Sequence, residues 1–363
     1  MVKRLIHTLI EQEYSVAVCA PLGLLATNYR EEFHPDLEAD TIHALFNIPI
    51  ADDQQYVVNY NIGKYDAVII DEASMIADHT FDMIHDTLEK QVHRPLVIIA
   101  GDECQQPPLK TINGRTTQTT SILKNRQLRQ VSQIHSLYQQ FRCTDKAYMD
   151  FFQYIRYTRP QQYVLDNFQR PLLLFNQSEI TDFDIWHTLE HQPDTTFLTV
   201  SRAAADRVNR IVISRAFQNK TTLSNIPLKN DVNDFLPFRD MRVVVTQNLD
   251  KRTGLVNGQL ATIHNSENNT LLLNFPNGKT TFTYPVTTIT EDGRSRVHYA
   301  LNPAYCMTIC KTQGANIKKL IVWFDCPTVP TGMGFVTLSR VRKSEDIKIM
   351  TPILTHQLTP ALS

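Results

Sequence analysis

The chain has 363 residues, with 36 Lys+Arg against 37 Asp+Glu for a formal net charge of −1, and 42% hydrophobic and 20% charged residues. That composition is ordinary for a folded globular protein of two or three domains and excludes a low-complexity chain. Bulk charge gives no support for a nucleic-acid partner, although one basic channel on a neutral protein would suffice for one. No apolar stretch approaches the roughly 20 residues needed to cross a bilayer, so no membrane partner is expected. The six cysteines, at 19, 104, 143, 306, 310 and 326, form no C-x-x-C pair. The expectation is reduced thiols in an intracellular protein, with Cys306 and Cys310 in a core and not on a metal.

Apolar residues at 2, 5, 6, 9 and 10 predict a helix over 2–13. A strand over 16–20, a helix near 22–30, a strand over 66–71, a helix over 79–90 and a strand over 95–100 follow. Such alternation argues a doubly wound parallel sheet. A second alternating segment begins near Gln127, with helical stretches over 131–138 and 147–156, a strand over 196–200 and a helix over 202–217. From Met241 to about Tyr299 the texture becomes short β-type runs, 242–246, 260–264, 271–275 and 280–284, punctuated by Asn257-Gly258 and Asn277-Gly278. Asn-Gly is a strong hairpin signal, so a small antiparallel barrel is expected inside the second lobe. The α/β texture returns with a strand over 320–324.

Two apolar runs carry the chemistry. Ala67-Val68-Ile69-Ile70 ends in Asp71-Glu72, and Leu96-Val97-Ile98-Ile99-Ala100 ends in Gly101-Asp102, about 30 positions on. Carboxylates at the carboxyl end of a buried parallel strand sit where α/β sheets bind ligands. Asp71 is then placed to hold Mg²⁺ and Glu72 to polarise water, which points to a nucleotide triphosphatase. The turn from Gly101 to Pro108 sets Gln105 beside them as a sensor of the γ-phosphate. A phosphate-cradling segment G-x-x-x-x-G-K-[ST] occurs nowhere in the 363 residues. The expectation is an incomplete copy that begins just after that loop, with an unpaired sheet edge and exposed apolar surface.

In order and spacing the motifs resemble the superfamily 1 DNA helicases of the PIF/RecD type. Ala20-Pro21-Leu22-Gly23-Leu24-Leu25-Ala26 is similar to A-P-T-G-x-A-A, with Leu22 where Thr is usual. Thr41-Ile42-His43-Ala44-Leu45-Phe46 is similar to T-I-H-x-x-L, and Asp71-Glu72-Ala73-Ser74-Met75 to D-E-x-S-M. Gly101 to Pro108 resembles G-D-x-x-Q-L-P-P, with Gln106 where Leu is usual. Leu137-Tyr138-Gln139-Gln140-Phe141-Arg142 resembles the motif ending in an arginine finger. Asn257-Gly258 resembles V-N-G-x-x-G, with Ala261 at the second Gly. Thr308 to Gly314 resembles the K-S-Q-G segment, and Phe335 to Arg342 resembles Y-V-A-L-S-R-V-R.

The resemblance implies two RecA-like P-loop NTPase lobes, residues 1–126 and 127–238 with 303–355, and an SH3-like β-barrel over 239–302 in the second lobe. It implies an ATP-dependent helicase or single-stranded-DNA translocase, with ATP and Mg²⁺ as cofactors, acting as a monomer in replication, repair or recombination. Single-stranded DNA and duplex junctions are the implied partners, and the nucleus the location if the source is eukaryotic. The implied catalytic residues are Asp71, Glu72, Gln105, Arg142 and Arg340, with Gln313 and Gly314 also at the nucleotide. The implied DNA side holds Pro21, His43, Phe46, Asn257, Lys311 and Thr312, with Arg252 a further candidate. The alternative is a nucleic-acid-binding remnant or regulatory subunit without turnover.

Overall fold

The structure is a computed structural model. It describes residues 1–49, 55–112, 115–139, 143–177, 179–229, 234–289, 293–312 and 317–362. The first elements are α1 (Val2–Glu11), β1 (Val16–Ala20), α2 (Gly23–Phe33), β2 (Glu38–Thr41), α3 (Ile42–Phe46), β3 (Ala67–Ile70), α4 (Thr80–Glu89) and β4 (Leu96–Ile99). The four strands form a parallel sheet in the order β2-β1-β3-β4.

β1 and β3 read as unbroken apolar runs because both of their faces are covered. Val16, Val18 and Ile69 pack toward α1 and α2 with Ile6, Tyr29 and Phe33. Their alternates Ala17, Cys19, Val68 and Ile70 pack on the opposite face with Phe46, Phe81 and Ile84. The strand order reverses between β1 and β3, so the carboxyl ends of that pair border the crevice in which such sheets take ligands. Among the described residues β4 is an edge strand, and Leu96 on it is 61% exposed.

The chain continues through the antiparallel pair β5 (Leu109–Ile112) and β6 (Arg115–Gln118) to α5 (Arg126–Val131). The helix expected over 131–138 is not formed. Residues 133–139 have no helical structure, and Ile134, Leu137 and Tyr138 are 65%, 66% and 85% exposed. A helical period without a surface to bury its apolar stripe does not hold so short a helix in water.

The elements α6 (Lys146–Tyr157), α7 (Gln162–Gln169), α8 (Asp182–His191), β7 (Thr196–Thr199) and α9 (Arg202–Ala216) come next. The β-rich segment comprises β8 (Arg242–Val245), β9 (Leu260–Glu267), β10 (Thr270–Asn274), β11 (Thr280–Thr283), β12 (Pro285–Ile289), β13 (Ser295–Tyr299) and β14 (Leu301–Pro303). It builds an antiparallel sheet β11-β10-β9-β8-β14 and a β12-β13 ribbon. Asn277-Gly278 makes the turn between β10 and β11, where Gly278 adopts φ 84° and its N–H donates to Phe275 O at 3.0 Å.

β15 (Cys306–Thr308), β16 (Leu320–Trp323), α10 (Met333–Leu338) and β17 (Ile347–Ile349) complete the chain's regular structure. A second parallel sheet runs β15-β7-β16-β17. Val243, Val245, Ile263, Leu271 and Leu273 of the antiparallel sheet share one core with Phe197, Val208 and Ile321 of this lobe. The sequence predicts neither α3, α5, α7, α8 and α10 nor the strands β2, β5, β6, β12, β13, β14, β15 and β17.

Candidate functional site

Asp71 and Glu72 stand at the carboxyl end of β3. The two-residue period of the strand puts Asp71 on the face of Ile69, the side of α1 and α2. There Tyr29 Oη donates to Asp71 Oδ2 at 2.5 Å. Burial first, and then the neighbouring Asp71 carboxylate, push the Tyr29 phenol far above its usual range, so it remains a donor. Glu72 has φ 51°, a left-handed conformation. Such backbone costs a non-glycine residue of order 1–3 kcal/mol and concentrates at functional sites.

The β4 loop is fastened to this turn. Ala73 N–H donates to Ala100 O at 2.9 Å. A Cβ on Gly101 would lie 3.0 Å from Ser74 N and 2.9 Å from Leu123 Cδ1, which explains a glycine there. Asp102 then organises the loop, its Oδ1 accepting from Cys104 N at 3.0 Å and its carbonyl from Gln105 N at 3.0 Å. Gln105 Oε1 and Ser74 Oγ are buried without a hydrogen-bond partner among the described residues. Both line a cavity of about 250 Å³ with Glu103, Gln118, Ser121 and Lys124, whose lining takes in neither Asp71 nor Glu72.

The second lobe closes on the same loop. Gly332, which caps α10 at φ 74°, packs so closely that a Cβ there would come within 3.1 Å of the Gln105 carbonyl. Gln118 and Thr331 exchange hydrogen bonds of 2.9 and 2.8 Å. The buried Gln106 lies 3.7 Å from Cys310 Sγ, joining the second carboxylate loop to the turn Ile309–Thr312. Arg340 follows α10; it is 3% exposed, and its Nε donates to Val336 O at 2.8 Å. Arg156 on α6 grips Asp102 with two bonds, 2.9 Å to Oδ2 and 2.6 Å to Oδ1. Forked Arg–carboxylate pairing is geometrically specific. Arg156→Ala is expected to lower unfolding stability by about 1–3 kcal/mol, since both partners are only partly exposed; an unchanged denaturant midpoint refutes that.

Of the residues expected at the nucleotide, Asp71 and Glu72 end β3, Gln105 lies on the neighbouring loop fastened to that turn, and Arg340 follows the C-terminal end of α10, whose opposite end packs against Gln105. Arg142, Gln313 and Gly314 lie outside the described residues. The Asp71 carboxylate, which accepts a side-chain hydrogen bond at Oδ2, has the donor chemistry that fits a hydrated divalent cation. Among the described residues no cluster of three or more His, Cys, Asp or Glu groups forms a separate metal site.

Where the sequence reading expects DNA, Gly23 and Asn257 converge on Asn248. A Cβ on Gly23 would lie 2.9 Å from Asn248 Oδ1, which accepts from Asn257 N at 2.9 Å. Pro21 opens that turn, between β1 and α2. Asp40 pairs with Lys251 at 2.6 Å and Glu31 with Lys279 at 2.8 Å, tying the first lobe to the antiparallel sheet. His43 is half-buried, and burial, reinforced by His79, holds its imidazole below the usual pKa. Lys311 and Thr312 lie on the single turn Ile309–Thr312 after β15. Phe46 corrects the sequence reading: it is 0% exposed, enclosed with Ile42, Ile62 and Phe81, and has no face to offer a base. Tyr29 escaped sequence reasoning because a tyrosine in an amphipathic helix reads as packing.

Residues 1–111 match a family model described as an AAA domain. No curated protein matches the chain by sequence. Among solved structures, one of two coordinating Pif1 helicases on forked double-stranded DNA superposes with a TM-score of 0.72 at 22% identity, over 98% of this chain and 86% of that one. Bacteroides Pif1 with ADP-AlF3 and single-stranded DNA gives 0.67 at 19% identity, over 98% and 92%. The Pif1 helicase of Candida albicans gives 0.60 at 15% identity, over 98% and 95%.

Proposed function

We propose that this chain, which has the Pif1-type superfamily 1 helicase fold, is a DNA-dependent ATPase that moves along single strands. The observation that carries this reading is the buried, unpartnered Gln105 carbonyl oxygen, on a loop that is fastened to the β3 carboxylate turn and packed against Gly332 at the start of α10. Asp71 holds the cation, which supplies charge neutralisation at the phosphates when bound. Glu72 accepts a proton from the attacking water, and Gln105 orients that water through its carbonyl oxygen. Arg340 brings positive charge from the second lobe, so lobe closure completes the site. Bacteroides Pif1 crystallised with ADP-AlF3 and single-stranded DNA supports the same pairing of ligands here.

Cleft and DNA turn are mechanically joined: Asp71 is bonded to α2, whose first turn meets Asn248. A second reading, strand binding without turnover, is favoured by the cavity at Gln105, whose lining takes in neither Asp71 nor Glu72. ATP hydrolysis by the purified chain, with and without single-stranded DNA, separates the two. Stimulated hydrolysis supports the motor; strand binding with no hydrolysis supports the second.

A further inference from the structure

Tyr29 lies outside every motif, yet its hydroxyl is spent on the carboxylate that ends β3. The side chain is 7% exposed and packed with Val18, Phe33 and Ile69. Its helix is pinned as well. The next residue, Arg30, donates to the carbonyls of Ala39 on β2 and Lys251 of the β8–β9 connection. Donor and acceptor are therefore both mounted on packed elements, and the bond between them has a fixed direction.

We infer that Tyr29 is a positioning residue for the nucleotide's divalent cation, holding Asp71 by Oδ2 and leaving Oδ1 as the oxygen that meets the metal. The inference rests on the nucleotide-site reading above. An ionised carboxylate has two oxygens with about four acceptor positions, so one phenol bond does not exhaust it. The bond is charge-assisted and leaves the carboxylate's charge in place. It removes the side-chain rotation that Asp71 would otherwise lose on binding the cation. Outer hydrogen-bond partners of metal-binding groups are worth about 10–100-fold in metal affinity. A tyrosine that only filled the core would need its ring and not its hydroxyl.

Tyr29→Phe in the full chain isolates the hydroxyl, because the ring that packs against Ile69 is retained. Two readouts are needed: Mn²⁺ binding by electron paramagnetic resonance in the presence of ADP, and fluorescent-ADP affinity in Mg²⁺ and again in EDTA. The expected result is a loss of about 10-fold or more in Mn²⁺ affinity and in the Mg²⁺-dependent part of ADP affinity. ADP affinity in EDTA and the thermal midpoint should stay unchanged. Combining the substitution with Asp71→Asn should add nothing further, since the two act through one contact. Equal Mn²⁺ affinity in wild type and Tyr29→Phe overturns the inference alone, as does an equal loss of ADP affinity with and without metal. A wild-type chain that binds ADP under neither condition overturns the nucleotide-site reading and this inference with it.

Discussion

Glu72→Gln is expected to cut ATP hydrolysis by about 10²–10⁴-fold, the range over which a positioned general base contributes. Gln preserves the length of the side chain and removes the group that takes the proton. Glu72 is unusual before any chemistry is invoked, because its backbone sits at φ 51° at the end of a buried strand. The surrounding structure sustains that conformation through Ala73 N–H on Ala100 O and Met75 N–H on Glu72 O, at 2.9 and 3.1 Å. The substitution should therefore leave folding and nucleotide affinity alone, which fluorescent-nucleotide binding and a thermal scan would check. Hydrolysis that survives at wild-type rate removes Glu72 from the reaction. Equal losses of binding and hydrolysis would make it a binding residue instead.

Phe46→Ala should destabilise the first lobe by about 3–5 kcal/mol, the cost of emptying a buried aromatic site. The ring is 0% exposed and ends a helix of only five residues, α3, that β2 delivers into the core. Thr41 caps that helix through a 3.3 Å bond from Ala44 N, and Asn47 closes it in the left-handed conformation at φ 55°. These local devices aim Phe46 inward, toward Ile42, Ile62 and Phe81. Denaturant unfolding of the variant, with single-strand affinity measured on the folded fraction, tests the assignment. Reduced stability with unchanged affinity agrees with a core residue; lost affinity at full stability would return Phe46 to the DNA face.

Legibility in the sequence followed burial. β1, β3 and β16 are covered on both faces, and two-sided covering demands unbroken apolar runs that can be read without any partner in view. β2 is the opposite case. Its residues Glu38, Ala39, Asp40 and Thr41 carry little strand preference, and they form a strand because β1 offers them a parallel ladder. The stretch 131–138 shows the converse failure, a helical period with nothing to pack against.

The site divides along the same line. The carboxylates, amide and arginine proposed to carry the chemistry were named from local order along the chain, because each belongs to a strand end or turn whose sequence is itself the constraint. The pairings across long separations were not: Tyr29 with Asp71, Arg156 with Asp102, Gly332 against Gln105, Gly23 against Asn248. Each is set by how elements far apart in the chain meet, and a contact between surfaces leaves no periodicity in either segment. The amino-acid sequence by itself determined the two α/β textures, the antiparallel insert and the acidic ends of the strands. Tertiary structure alone decided that Phe46 faces the core and that Asp71 is held by a phenol, because burial and hydrogen-bond geometry arise only when distant segments pack.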